Sequence, residues 1–98
     1  MSGTKVGLMV GGLGVQVGAV TWLPAPNLNI IEAGRISFTG RQTIDQATYS
    51  FGGECTRLRG APTVNDVSVS IWFLACQEDL DAVRAEVRQM IASVARSI

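Results

Sequence analysis

Alternating arginine and hydroxyl side chains in residues 34–43, GRISFTGRQT, are the groups in this chain best suited to hold a charged ligand. Polar and apolar residues alternate here, as in a strand with one polar and one apolar face. The polar set is Arg35, Ser37, Thr39 and Arg41. Arginine binds phosphate as a fork, and hydroxyls bond phosphate or base edges. The stretch therefore predicts a strand whose polar face suits a polyanion, with plain solvation as the alternative.

Two later segments repeat the pattern. Residues 47–58, ATYSFGGECTRL, place Thr48 and Ser50 between large apolar residues, and residues 66–76, DVSVSIWFLAC, do the same with Ser68 and Ser70. We expect all four hydroxyls on the same polar face. A helix would then cover the other, apolar face of the sheet.

The sequence contains few residues in patterns that suit catalysis. The chain has no histidine, which excludes histidine triads and histidine metal sites. The acidic cluster Glu78, Asp79 and Asp81 suits the first turn of a helix, where the dipole favours anions. Cys76 stands at a strand–helix junction but has no visible base partner. We therefore predict a protein that is not an enzyme, with no catalytic residue, no metal, no cofactor and no small-molecule substrate.

Length and composition allow one domain. The chain has 98 residues, of which 47% are hydrophobic, and that fraction excludes a disordered chain. Net charge is zero, but the positive excess lies in residues 1–60 and the negative excess in residues 61–98. A polyanion should therefore contact the strand region. Cys55 and Cys76 are expected as free thiols in a reducing compartment, although a disulfide stays open.

The elements that position these residues follow from periodicity. Residues 6–23 carry no charge but contain a glycine-rich GGLG segment, which favours a β-hairpin over a membrane span. Apolar residues at steps of three and four after residue 77 predict a helix. We expect an α+β fold in one domain, 1–98. It would contain an N-terminal hairpin over 6–23 and an antiparallel sheet of about five to seven strands over 28–76, with 28–31 as a short first strand. A helical segment over 77–98, either continuous or broken in two, would follow.

The run RISFTGR, a second polar-faced strand, and NDVSVSIWF leading directly into QEDLDAVRAEVRQMI together resemble the coat proteins of single-stranded RNA bacteriophages, the leviviruses. The resemblance covers residues 34–98 and, more loosely, residues 6–24. It implies an interlocked homodimer that joins sheet edge to sheet edge and assembles into an icosahedral shell. The shell would package RNA on its inner sheet face, and the same face could bind an RNA hairpin as a translational repressor.

The same resemblance implies residue roles. The RNA-facing positions would be Arg35, Ser37, Thr39, Arg41, Thr48, Ser50 and Asn65, or Asp66 beside it. The apolar stripe of the helix would form the dimer interface through Leu80, Val83, Val87, Met90 and Val94. The partners would be a second copy of the chain and single-stranded RNA, with no membrane, and the location would be the virion, assembled in the bacterial cytoplasm.

A second interpretation uses the same elements without RNA. Small phage tail and connector proteins can also end in a strand followed by a helix. In such a protein the polar sheet face would only be exposed to solvent and would not bind RNA. A soluble α+β structural protein of that type is therefore the alternative to a coat protein.

Overall fold

A computed structural model of the chain describes residues 6–10 and 13–98. In these residues, five strands precede one helix. They are β1 (Val6–Val10), β2 (Leu13–Leu23), β3 (Ile30–Ile44), β4 (Ala47–Gly60), β5 (Ser68–Cys76) and α1 (Leu80–Ser97). Short 3-10 turns at Pro62–Val64 and Gln77–Asp79 precede β5 and α1.

The strands form one antiparallel meander in the order β1-β2-β3-β4-β5. The prediction of an α+β fold, with an antiparallel sheet followed by a C-terminal helix, is confirmed. The sheet has fewer strands than the seven that the prediction allowed, because residues 30–31 open β3 instead of forming a short strand of their own. Helix α1 runs without a break.

Two strand pairings define the register of the hairpins in the sheet. β1 pairs with β2 from Val10 opposite Leu13 onward, while the GGLG turn lies partly outside the described residues. After a register shift between Ile30 and Glu32, β3 and β4 pair continuously from Glu32 opposite Arg59 to Ile44 opposite Ala47. Their two-residue turn places both Asp45 and Gln46 at positive φ, the conformation of a hairpin turn that matches strand twist. Within the described part of the chain, no helix is long and apolar enough to cross a membrane.

Helix α1 packs on one face of the sheet, which we call the helix face. Its buried Ile91 and Ala95 contact Ile30, Ala33 and Leu58 of β3 and β4. Leu23, Ile71, Val87, Val94 and Ile98 pack around this core. The small core is what a chain of this length can form from one helix and half a sheet face.

Leu58 is the test of this core, because it is only 2% exposed and lies in its centre. We expect Leu58→Ala to lower the free energy of unfolding by about 3 kcal/mol, through lost burial and a residual cavity. Urea denaturation measures this. Leu74→Ala on the opposite face removes the same atoms from a side chain that is 59% exposed, and a loss as large as that of Leu58→Ala would contradict the assigned core.

The predicted placement of the helix is wrong. Residues paired across an antiparallel sheet share a face, and Ala33 pairs with Leu58 while Arg35 pairs with Thr56. The alternating series that begins at Arg35 therefore lies on the helix face, and the apolar series of Ile36 and Phe38 is left uncovered. Ser68 and Ser70 are also misplaced by the prediction, because Ser70 pairs with Arg57 on the uncovered side.

Candidate nucleic-acid interface

Arg35 is drawn into the interior between sheet and helix. Its Nε donates to Thr56 Oγ1 at 3.0 Å and lies 3.8 Å from Glu54 Oε1. Burial, with the charge of Arg88 as a second cause, lowers the pKa of the Arg35 guanidinium, and Glu54 offsets part of this. Arg35 is thus the predicted RNA-binding residue least available to a ligand.

Glu54 is the centre of a charge cluster that joins the helix to the sheet. Its side chain is 5% exposed and accepts two hydrogen bonds from Arg88, at 3.2 Å from Nε and 2.7 Å from the terminal nitrogen. Arg84 Nε lies 3.3 Å from the same carboxylate. A buried carboxylate needs such partners, and three arginines provide them from two elements. We call Arg35, Glu54, Arg84 and Arg88 the arginine clamp.

Five of the predicted RNA-binding residues form an exposed group on the helix face, near the β3–β4 turn. We call this group the polar strip, and it comprises Ser37, Thr39, Arg41, Thr48 and Ser50. Arg41 pairs with Ser50 across the two strands, and Thr48 Oγ1 lies 3.3 Å from Thr43 Oγ1. β5 ends opposite Phe51, so the β3–β4 hairpin extends beyond both β5 and the start of α1. The sequence thus predicted a real cluster of exposed hydroxyls with one arginine.

Asn65 does not join this cluster. It caps the 3-10 turn between β4 and β5 in a left-handed conformation, while Asp66 lies 3.7 Å from Arg59. Gly60 is the last residue of β4 before this turn, and it lies about 33 Å along the strand from Ser50 of the polar strip, at about 3.3 Å per residue. The predicted site is therefore split between two ends of the sheet.

Most residues of the predicted dimer interface on the helix pack against the sheet of their own chain. Leu80 is buried against Gly52, and Val87 and Val94 pack around the core. Val83 is half-buried and Met90 is 59% exposed. The buried positions that the stripe left out are Ile91 and Ala95, which lie on the same side of the helix at the spacing of four residues.

The uncovered side of the sheet, which we call the open face, carries a group of residues that sequence reasoning did not assign to any site. Strand register places five of the six aromatic residues there: Trp22, Phe38, Tyr49, Phe51 and Trp72. The exposed fractions of Trp22, Tyr49 and Trp72 are 66%, 53% and 68%. A surface with this much aromatic area exposed is typical of an interaction site.

Glycines let these rings lie close to the sheet. Atoms of the six-membered ring of Trp22 lie 3.4–3.5 Å from where a Cβ of Gly34 would stand. The ring of Phe38 lies within 2.7 Å of the equivalent position on Gly53, and its centroid is 6.2 Å from that of Trp72. The rings therefore cover bare backbone and form one continuous surface with the sheet.

Arg57 lies between the two tryptophans on the open face. Register aligns Trp22, Gly34, Arg57 and Ser70 in one row across four strands, and Trp72 is in the next row. Arg57 is exposed and has no hydrogen bond or ion pair to any described residue, whereas the neighbouring Arg59 lies 3.7 Å from Asp66. Burial raises the pKa of the adjacent Cys55 thiol, against an opposing effect of Arg57. Cys55 and Cys76 are both free.

One signal in the sequence could have indicated this face. Position parity puts Ile36, Phe38, Tyr49 and Phe51 on one side of the β3–β4 hairpin, since these residues alternate with the polar ones. The pattern did not say which side the helix covers. The helix face carries the apolar core, and also Glu54, which Arg84 and Arg88 bind from the helix although both arginines are conventional surface residues by sequence alone.

Comparisons with known proteins give no relative. No family model matches the chain, and no curated protein or solved structure is significantly similar to it. Among the described residues, no group of three or more cysteine and acidic side chains is placed to hold a metal ion.

Proposed function

We propose that the chain is the subunit of a self-assembling shell that packages single-stranded RNA, as the resemblance to phage coat proteins implies. Two copies form a homodimer, and dimers build the shell, with the virion as the location and the bacterial cytoplasm as the place of assembly. The observation that supports this most is the amount of sheet surface that a single chain leaves unpaired.

The outer edge of β5 is the main part of that surface. β5 has nine residues, Ser68–Cys76, and pairs with β4 on one side, while no described strand pairs with its other side. Its edge contains no proline or charged residue, the features that usually prevent strands from pairing between chains. Antiparallel pairing of β5 with β5 of a second copy would close the edge and extend the sheet to ten strands.

Contacts to RNA are the second part of the proposal. The polar strip offers hydroxyls and the Arg41 guanidinium, which suit phosphate contacts that do not depend on sequence. The zero net charge of the chain limits such contacts to local surfaces. We therefore propose general packaging of RNA as the primary activity, with repression through an RNA hairpin as a further activity of the same subunit.

The direct test is expression of the chain alone in bacteria. Gel filtration of the lysate, with absorbance at 260 and 280 nm across the void peak, should show particles rich in RNA, and negative-stain microscopy should show uniform round shells. Amide hydrogen exchange should be slower in β5 in the particles than in dissociated subunits, because pairing protects the outward N–H groups.

Other outcomes separate the alternatives. A discrete small oligomer that is free of RNA would favour a tail- or connector-type structural protein. A monomer that stays soluble at high concentration would contradict both interpretations. Particles whose β5 amides exchange as fast as in the free subunit would retain the shell but reject edge pairing.

A further inference from the structure

We propose that the open face binds unpaired RNA bases by stacking on Trp22 and Trp72, with Arg57 between them contacting phosphate. This inference rests on the proposed packaging of RNA and assigns base stacking to the open face, in addition to the phosphate contacts proposed for the polar strip on the helix face. It follows from the side chains that strand register brings together there.

The exposed area requires an occupant. Aromatic side chains have surfaces of up to about 250 Å² each, so two tryptophans that are two-thirds exposed present about 300 Å² of surface between them. Val20 and Leu74, at 45% and 59% exposed, extend the same surface. An exposed surface of this kind marks a binding site in a soluble protein.

Charge favours nucleic acid over a second copy of the face. Arg57 is flanked by Trp22, Ser70 and Trp72, and the acidic residue nearest to it on this face by register is Glu32, which pairs with Arg59 at the end of the sheet. The row of Arg57 itself contains no acidic side chain, so two open faces packed with these rows opposed would bury Arg57 without a carboxylate, which is costly. A phosphate supplies the missing negative charge, and bases cover the rings.

The spacing suits a single strand. Neighbouring strands lie about 4.8 Å apart, so Trp22 and Trp72, three strands apart, are separated by about 14 Å across the sheet. One base cannot contact both rings, but successive bases of an extended strand can each stack on one. Arg57 is positioned between them to contact the connecting backbone. Duplex RNA keeps its bases stacked inside and cannot use these rings.

The two tryptophans also report binding, because they are the only ones in the chain. The experiment titrates dissociated subunits with a ten-nucleotide oligouridylate and follows tryptophan fluorescence, with a ten-base-pair RNA duplex as the comparison. We expect strong quenching by the single strand and little by the duplex. Trp72→Leu, which keeps the apolar character, should weaken single-strand binding about tenfold.

Two arginine variants on opposite faces form the matched control. Arg57→Gln should weaken binding several-fold and reduce the slope of log affinity against log salt by about one. Arg41→Gln removes the same charge from the polar strip, away from the tryptophans, and should lower the affinity measured by quenching less than Arg57→Gln does. The opposite result, a loss with Arg41→Gln alone, would overturn the assignment to the open face.

Two further outcomes would also reject it. Absence of quenching by the single strand while particles still contain RNA would leave the shell proposal intact and reject stacking. If acrylamide reaches the tryptophans less as protein concentration rises without RNA, a second copy covers the open face instead. A chain that forms no particles yet quenches with oligouridylate would separate RNA binding from the proposed shell.

Discussion

Glu54→Gln is expected to lower the free energy of unfolding by about 3 kcal/mol, because it removes the only carboxylate buried within the arginine clamp. Arg35, Arg84 and Arg88 would then face one another across a neutral amide. The unpaired charge of Arg35 would contribute most to this loss, because its side chain is only 17% exposed and water can solvate little of its charge. Urea denaturation followed by circular dichroism measures the change.

A control variant removes one carboxylate charge that is exposed instead of buried. Asp81 pairs with Arg84 at 2.8 Å but is 97% exposed, so Asp81→Asn should change stability by less than about 0.5 kcal/mol. Arg88→Gln should have an intermediate effect, because Arg84 and Arg35 still serve the carboxylate and Arg88 is half-exposed. Equal losses for Glu54→Gln and Asp81→Asn would show that the clamp is a surface feature.

The clamp also contributes, together with the apolar core, to leaving one side of the sheet open. Without it, either face of the β3–β4 hairpin could receive an apolar helix stripe, and by sequence the apolar face of Ile36 and Phe38 is the better candidate. The apolar core and the contacts of Glu54 with Arg84 and Arg88 both lie on the other face and hold the helix there. Loss of the clamp should therefore affect assembly as well as stability.

The periodicity of polar and apolar residues was sufficient to predict the main strands and the helix. The alternation from Arg35 to Arg41 defined the middle of β3, and the apolar steps from Leu80 onward defined the helix, because these periods follow directly from backbone geometry. The lengths of the strands were harder to predict. β3 starts at Ile30, since residues 30–33 pair with the end of β4, and pairing between distant segments leaves no local signal.

The candidate site could be predicted only in part. Alternation correctly grouped Ser37, Thr39 and Arg41 on one face and extended it to Ser50. It could not show that Arg35 at the end of the same series is buried, because that depends on Glu54 and on where the helix lies. Polarity alone is a poor guide to exposure when a buried charge network holds two elements together.

Gly53→Ala is expected to be as damaging as the loss of Glu54, although it adds only a methyl group. A Cβ at this position would collide with the backbone carbonyl of Phe73 on β5 and approach the ring of Phe38 to 2.7 Å. The carbonyl cannot move without breaking the pairing of Gly53 with Leu74 in the β4–β5 ladder. We expect a loss of about 3 kcal/mol, measured by thermal and urea unfolding.

Gly18→Ala is the matched control for Gly53→Ala. Gly18 also lies in a strand, but an added Cβ would be 3.4 Å from the Ser37 carbonyl, so we expect a change within about 1 kcal/mol. We expect the two variants to differ in function as well. Gly53 supports the Phe38 ring beside Trp72 and the strand that carries the free edge, so Gly53→Ala should impair both oligouridylate binding and particle formation. If Gly53→Ala unfolds like the wild type, the close contact of Phe38 with the sheet is wrong, and with it the support that Phe38 gives to Trp72 on the open face.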